Sequence, residues 1–131
     1  MSLGINVSFG HDCVMDPWYS MGSGDMLEVG HMAVHVAQLG SVADKTAVFN
    51  ALTVNSAKTM GLTGYGIAKG NHADLVLLQA RDPAEALRLK PARLVVVRRG
   101  KIIARTKPQI SALFLDGRPA QVDGAAYAPK H

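Results

Sequence analysis

Gly4-Ile5-Asn6-Val7-Ser8-Phe9-Gly10-His11-Asp12 is the stretch on which the reading of this chain turns. Ile5, Val7 and Phe9 alternate with Asn6 and Ser8, the two-residue period of a strand with one apolar face, and Gly10 ends the pattern. His11 and Asp12 are therefore expected where a strand becomes a loop, the place where α/β folds collect ligands and catalytic groups. An Asp there can ligate a metal or take a proton. An isolated Asp after a glycine also caps a turn through its own side chain, and the pattern alone favours the cap.

Working outward, Asp16-Pro17-Trp18-Tyr19-Ser20-Met21-Gly22-Ser23-Gly24 has neither periodicity and reads as a loop holding the only tryptophan. From Asp25, the residues Met26, Leu27, Val29, Met32, Ala33, Val36 and Leu39 recur at helical spacing, with Gly40 placed to stop the helix. A second helix is expected from Asp44 as N-cap through Leu52, and a third from Thr53 or Val54 through Met60 to Gly61. The glycines from Gly61 to Gly70 mark a change from helical to strand-like sequence, so the expected division is 1–66 and 67–131. In the second part Asp74–Leu78 reads as a strand, and Asp82-Pro83 opens a short helix through Leu89. Leu94–Val97 and Ile102–Ala104 flank Arg98-Arg99-Gly100-Lys101 as a hairpin. Strand signal is weak over Ile110–Leu115, and the last residues, His131 included, read as a tail.

With 131 residues, 48% of them hydrophobic, the chain can bury one core. No apolar run approaches the ~20 residues of a membrane span, and polar residues interrupt the N-terminal stretch where a signal peptide would be apolar. The expectation is a soluble, cytoplasmic chain. The single cysteine, Cys13, excludes a disulfide framework, a structural zinc finger and the paired-cysteine zinc deaminases. A nucleophilic role for Cys13 beside His11 and Asp12 is disfavoured, since neighbouring side chains after a strand tend to diverge. His31 and His35 share one helix face, but Met32 stands where the zincin motif needs Glu, so they read as packing or surface histidines. The net charge of +4 permits nucleic-acid binding. The basic hairpin nevertheless lacks interleaved aromatics, and charge guarding a sheet edge explains it better. The glycines of 61–70 carry no Lys-Ser/Thr and open no helix, so they are not a phosphate loop.

Gly4 to Asp12, followed by Asp16-Pro17-Trp18-Tyr19 and Met26-Leu27-x-Val29-x-His31-Met32, resembles the last barrel strand and final helix of bacterial cytosine deaminases, in the amidohydrolase superfamily. The likeness continues through Asn55–Leu62 and through Tyr65-Gly66-Ile67-x-x-Gly70-Asn71-x-Ala73-Asp74-Leu75-Val76. Arg99–Ala104 is similar to the hairpin that closes their small β-sandwich. The resemblance implies an α/β chain: the C-terminal end of a metal-dependent TIM barrel over 1–66 and part of the sandwich over 67–131. It implies deamination of a pyrimidine or related cyclic amidine, with one divalent metal, iron or zinc, lowering the pKa of a bound water. Asp12 would be metal ligand and general base, and Trp18 and Cys13 would lie at the substrate.

Two departures bear on this. Cys13 stands where the family usually carries a second Asp, which puts cytosine itself in doubt as substrate. A complete eight-stranded barrel takes about 250 residues, so this chain would be a fragment inactive alone, its partners being the missing N-terminal barrel segment and other copies of itself. A membrane or nucleic acid is not expected. The alternative is a non-catalytic oligomerisation or interaction module.

Overall fold

The computed structural model describes residues 3–122, which form two units, one up to His72 and the other from Ala73. Among these residues no helix is long and apolar enough to cross a membrane. The end of the chain beyond Val122, with His131, lies outside the described residues.

In the first unit, α1 spans Met26–Val36, α2 Val42–Leu52 and α3 Val54–Thr59. Asp25 caps α1 as its sequence position suggests, its carboxylate accepting the Leu27 N–H at 2.8 Å. The helix stops earlier than Gly40. Gln38 takes the left-handed conformation at φ 55°, and the N–H groups of Gln38 and Leu39 bond the carbonyls of His35 and Val34. These paired bonds satisfy the last carbonyls of the helix, so the glycine arrives too late to be needed.

Asp44 is not the N-cap of α2. Ser41 is, its hydroxyl accepting the Asp44 N–H at 3.0 Å while the Asp44 carboxylate accepts the Ser41 N–H at 3.0 Å. This reciprocal pair satisfies two backbone donors where a lone aspartate cap satisfies one. The Ser41 hydroxyl and N–H hold the Asp44 carboxyl below its ordinary range. Thr53 separates α2 from α3 with φ −120° and ψ −95°, its hydroxyl donating to the Phe49 carbonyl. Gly61 ends α3 at φ +64°, the left-handed position that suits glycine. The buried centre is small: Leu27 and Gly30 of α1, Val48 and Ala51 of α2, and Ala57 of α3.

The alternating stretch Ile5–Phe9 does not form the expected β-strand, because among the described residues no other strand pairs with it. A strand needs a ladder, and polar side chains of α3 do that work instead. The Asn55 side chain donates to the Val7 carbonyl at 2.9 Å, and the Asn6 side chain donates to the Asn55 carbonyl and the Thr59 hydroxyl. Thr59 reaches Ser8, and the Phe9 N–H bonds the Ala51 carbonyl at 3.2 Å. With the Ser56 hydroxyl donating to the Phe9 carbonyl at 3.5 Å, Asn55, Ser56 and Thr59 fasten the segment that leads to His11 and Asp12. At the other end of the unit, the His72 N–H bonds the Gly64 carbonyl and the Asn71 side chain donates to those of Tyr65 and Gly66. These bonds close the 64–72 loop on itself.

The second unit holds β1 Leu75–Leu78, α4 Pro83–Leu89, β2 Arg93–Arg98 and β3 Lys101–Arg105, with a small antiparallel pair of β4 Ser111–Ala112 and β5 Gln121–Val122. The main sheet is antiparallel in the order β1-β2-β3, with Leu75 opposite Val97 and Val96 opposite Ala104. Arg99 and Gly100 turn the hairpin at φ 48° and 76°, both left-handed, as a two-residue turn matching strand twist requires. The tip is tied to the start of β1: the Arg99 N–H donates to the Asp74 carboxylate at 2.6 Å and the Gly100 N–H to the Ala73 carbonyl. Leu75, Val76 and Leu77 of β1 and Ile102 and Ile103 of β3 remain exposed.

Asp82 caps α4 as expected, and Pro83 fills the first turn. Glu85, buried on this helix, accepts the Arg81 backbone N–H at 2.8 Å and both arms of its guanidinium. The Arg81 side chain, with its N–H behind it, holds the Glu85 carboxyl below the usual range. A carboxylate with a depressed folded-state pKa stabilises above its unfolded pKa, and the contribution fades as pH falls through the folded value. Glu85→Gln is therefore expected to cost about 1–3 kcal/mol near neutral pH. In urea melts of both proteins the gap should close below about pH 4; an equal gap at pH 7 and pH 3 would contradict this account.

Candidate active-site loop

The extended segment delivers His11, Asp12 and Cys13 to a loop that doubles back on itself. His11 is its clamp. Its Nδ1 lies 2.8 Å from the Cys13 carbonyl oxygen, and its Nε2 lies 3.2 Å from the Gly24 backbone N. A backbone N–H can only donate and a carbonyl can only accept, so the ring is neutral with its proton on Nδ1. The arrangement binds residue 13 to residue 24, immediately before the cap of α1. Neither ring nitrogen is left for another ligand while the clamp is closed.

Asp12 has φ 64°, a left-handed conformation that Asp adopts more readily than most residues, and it is exposed. The Cys13 thiol is its neighbour, with Sγ 3.8 Å from Oδ2. Asp16 gathers the next turn: its Oδ1 accepts the N–H groups of Trp18 at 2.9 Å and Tyr19 at 3.0 Å. The Tyr19 N–H is the main reason that the Asp16 carboxyl sits below its ordinary range. The Cys13 thiol is pushed up to about 11, first by its hydrogen bond to Asp16, then by desolvation and by the charges of Asp12 and Asp16. These surroundings disfavour the thiolate, the form that a nucleophile or a metal ligand needs.

The structure thus brings Asp12, Cys13 and Asp16 together. The indole of Trp18 is 90% exposed. Among the described residues no three His, Cys, Asp or Glu side chains converge to hold a metal ion. A catalytic divalent metal does not fit at Asp12 with the described residues alone: Asp12 offers one carboxylate, and catalytic zinc takes about three protein ligands.

Sequence reasoning missed Gly22. It is buried, and a Cβ built there would stand 2.3 Å from the Cys13 carbonyl oxygen, 2.9 Å from Val14 Cα and 3.0 Å from His11 Cε1. The 19–24 segment packs backbone to backbone against 11–14 only because nothing projects there. Gly22-Ser23-Gly24 within a polar loop was the available signal, but it does not distinguish a close approach from a flexible turn.

Comparison with known proteins places this loop in context. N-isopropylammelide isopropyl amidohydrolase of a Pseudomonas species is 30% identical over 106 residues, 80% of this chain and 26% of that protein. Pterin deaminase of Rhizobium rhizogenes is 35% identical over 111 residues, 84% of this chain and 25% of that protein. In structure, the chain is similar to 5-methylcytosine deaminase of Klebsiella pneumoniae liganded with phosphonocytosine, with TM-score 0.78 and 33% identity over 82% of this chain and 27% of that one. The chain spans about a quarter of the length of these relatives. A family model described as an amidohydrolase family matches residues 1–119, from before the alternating segment to beyond the hairpin and β4, and the chain accordingly belongs to that family.

Proposed function

We propose that this chain is the C-terminal part of a cytosine-deaminase-like hydrolase, with the end of a TIM barrel in its helical part and strands of a small β-sandwich in its β-rich part. The complete enzyme acts in the cytoplasm on a pyrimidine or related cyclic amidine. Water replaces the exocyclic amine at carbon, a carbonyl is formed and ammonia leaves. The observation that carries this reading is the exposed Asp12 carboxylate, set by a left-handed backbone at the end of the extended segment and steadied by the His11 clamp. Likeness to a deaminase solved with phosphonocytosine and with 5-fluorocytosine supports the substrate class.

In this reading Asp12 accepts a proton from the attacking water, Trp18 offers a flat wall to a flat ring, and the neutral Cys13 thiol borders the substrate. In this reading iron or zinc belongs to the complete enzyme, whose other ligands and proton donor come from the missing N-terminal barrel segment. The exposed Leu75, Val76, Leu77, Ile102 and Ile103 favour a second reading, in which the isolated chain is an association module that forms homo-oligomers without catalysis.

The test is ammonia release from cytosine, isocytosine and creatinine after loading with iron or zinc. The chain alone should release none. A chimera in which it replaces the matching segment of 5-methylcytosine deaminase should release ammonia from at least one of them. A folded, metal-loaded chimera inactive on all three would sink the deaminase reading; release by the chain alone would show that copies of it assemble a whole site.

A further inference from the structure

Trp18 is so exposed that its placement depends on the backbone that carries it and hardly on packing. That backbone is held from several directions. One oxygen of Asp16 accepts the N–H groups of both Trp18 and Tyr19, at 2.9 and 3.0 Å. Pro17, which stands between Asp16 and Trp18, has its φ confined by its ring. The Tyr19 carbonyl accepts the Gly22 N–H at 3.4 Å, and Gly22 lies against the backbone of Cys13 and Val14. The Asp16 carboxylate also accepts the Cys13 thiol. A carboxylate has about four lone-pair positions, enough for all three donors. Bonds to backbone suffice to cap a turn; the bond to a side chain on the other limb of the loop joins residue 13 to residue 18.

From these bonds we propose that Asp16 is a positioning residue, which fixes the Trp18 turn against Cys13 and so sets the spacing of the two side chains that border the substrate; this rests on the deaminase reading of the loop. An aromatic wall held in place before a flat ring arrives surrenders less conformational freedom when the ring binds. Asp16 therefore acts on affinity, through Trp18, and takes no part in proton transfer, which belongs to Asp12. Its geometry and its charge are separable. Asn at this position keeps an oxygen able to accept the Trp18 and Tyr19 N–H groups and gives up the charge, whereas Ala gives up both.

Trp18 is the single tryptophan of the chain, so its own fluorescence reports on the hold. Time-resolved anisotropy of the full chain should show a larger fast local motion in Asp16→Ala than in the parent, with Asp16→Asn close to the parent. In the chimera with 5-methylcytosine deaminase, on whichever of cytosine, isocytosine and creatinine it turns over, Asp16→Ala should raise KM by about threefold to tenfold and change kcat by less than about twofold. Asp16→Asn should recover most of that loss, and in a Trp18→Ala background Asp16→Ala should add nothing further. Unchanged anisotropy in Asp16→Ala overturns the positioning role whether or not the chimera is active. A loss carried by kcat, or full additivity with Trp18→Ala, overturns its action through the wall. A parent chimera inactive on all three compounds overturns the deaminase reading, and the substrate role of Asp16 falls with it, while the anisotropy alone decides its hold on Trp18.

Discussion

Asp12→Asn, made in the chimera with 5-methylcytosine deaminase, lowers kcat for ammonia release by about 100-fold to 10,000-fold, the range that a positioned general base supplies. Asn is the substitution of choice because it shares with Asp a tolerance for the left-handed backbone found at φ 64°. It keeps the shape of the side chain and removes its ability to take a proton. Asp12 is exposed and makes only a long contact with Cys13, so the thermal midpoint of the variant should stay close to that of its parent. A variant that retains activity within a few-fold would remove Asp12 from the reaction. One that loses activity together with its thermal midpoint would give it a structural role instead.

Gly22→Ala is expected to cost about 3 kcal/mol in urea unfolding, at the upper end of overpacking. Two of the three atoms that the new methyl would meet belong to backbone, the Cys13 carbonyl oxygen at 2.3 Å and Val14 Cα at 2.9 Å, and cannot swing aside as a side chain would. Relief requires the 11–14 and 19–24 segments to separate, which breaks the bond between Gly24 and the His11 ring. Gly10→Ala is the control: its new methyl has nothing within 4 Å and should change stability by less than about 0.5 kcal/mol. Equal effects at the two positions would refute the close-packed loop.

What could be read in the sequence is what local chemistry decides. Asp25, Asp82 and Pro83 announce helix starts within a few residues of themselves, and Arg99-Gly100 between two β-rich runs announces its turn. Gln38 in place of Gly40, and Ser41 in place of Asp44, were less legible because competing caps stand within three residues of each other. The alternation over Ile5–Phe9 specifies a face and not a ladder partner, so the sequence shows the pattern but not whether a strand forms. The loop was half legible: Gly10-His11-Asp12 marked its place, and the resemblance supplied proposed roles. The grip of His11 on Gly24, thirteen residues away, and the need for a bare backbone at Gly22 are properties of the folded loop that neither spacing nor composition encodes.

The fastening of the N-terminal segment to α3 also sets an order of events. Its hydrogen bonds join residues 47 to 53 positions apart, whereas α1, α2 and α3 close through bonds between near neighbours in sequence. Contacts of long sequence separation are made only after chain entropy has been surrendered over the whole intervening loop. The helices can therefore assemble first, and residues 6–9 dock onto a surface already formed. With exposed polar bonds and little buried apolar area of its own, the docked segment is also the part of this unit that opens first under partial unfolding, so the residue on which the proposed chemistry depends is mounted on the last piece to arrive and the first to leave.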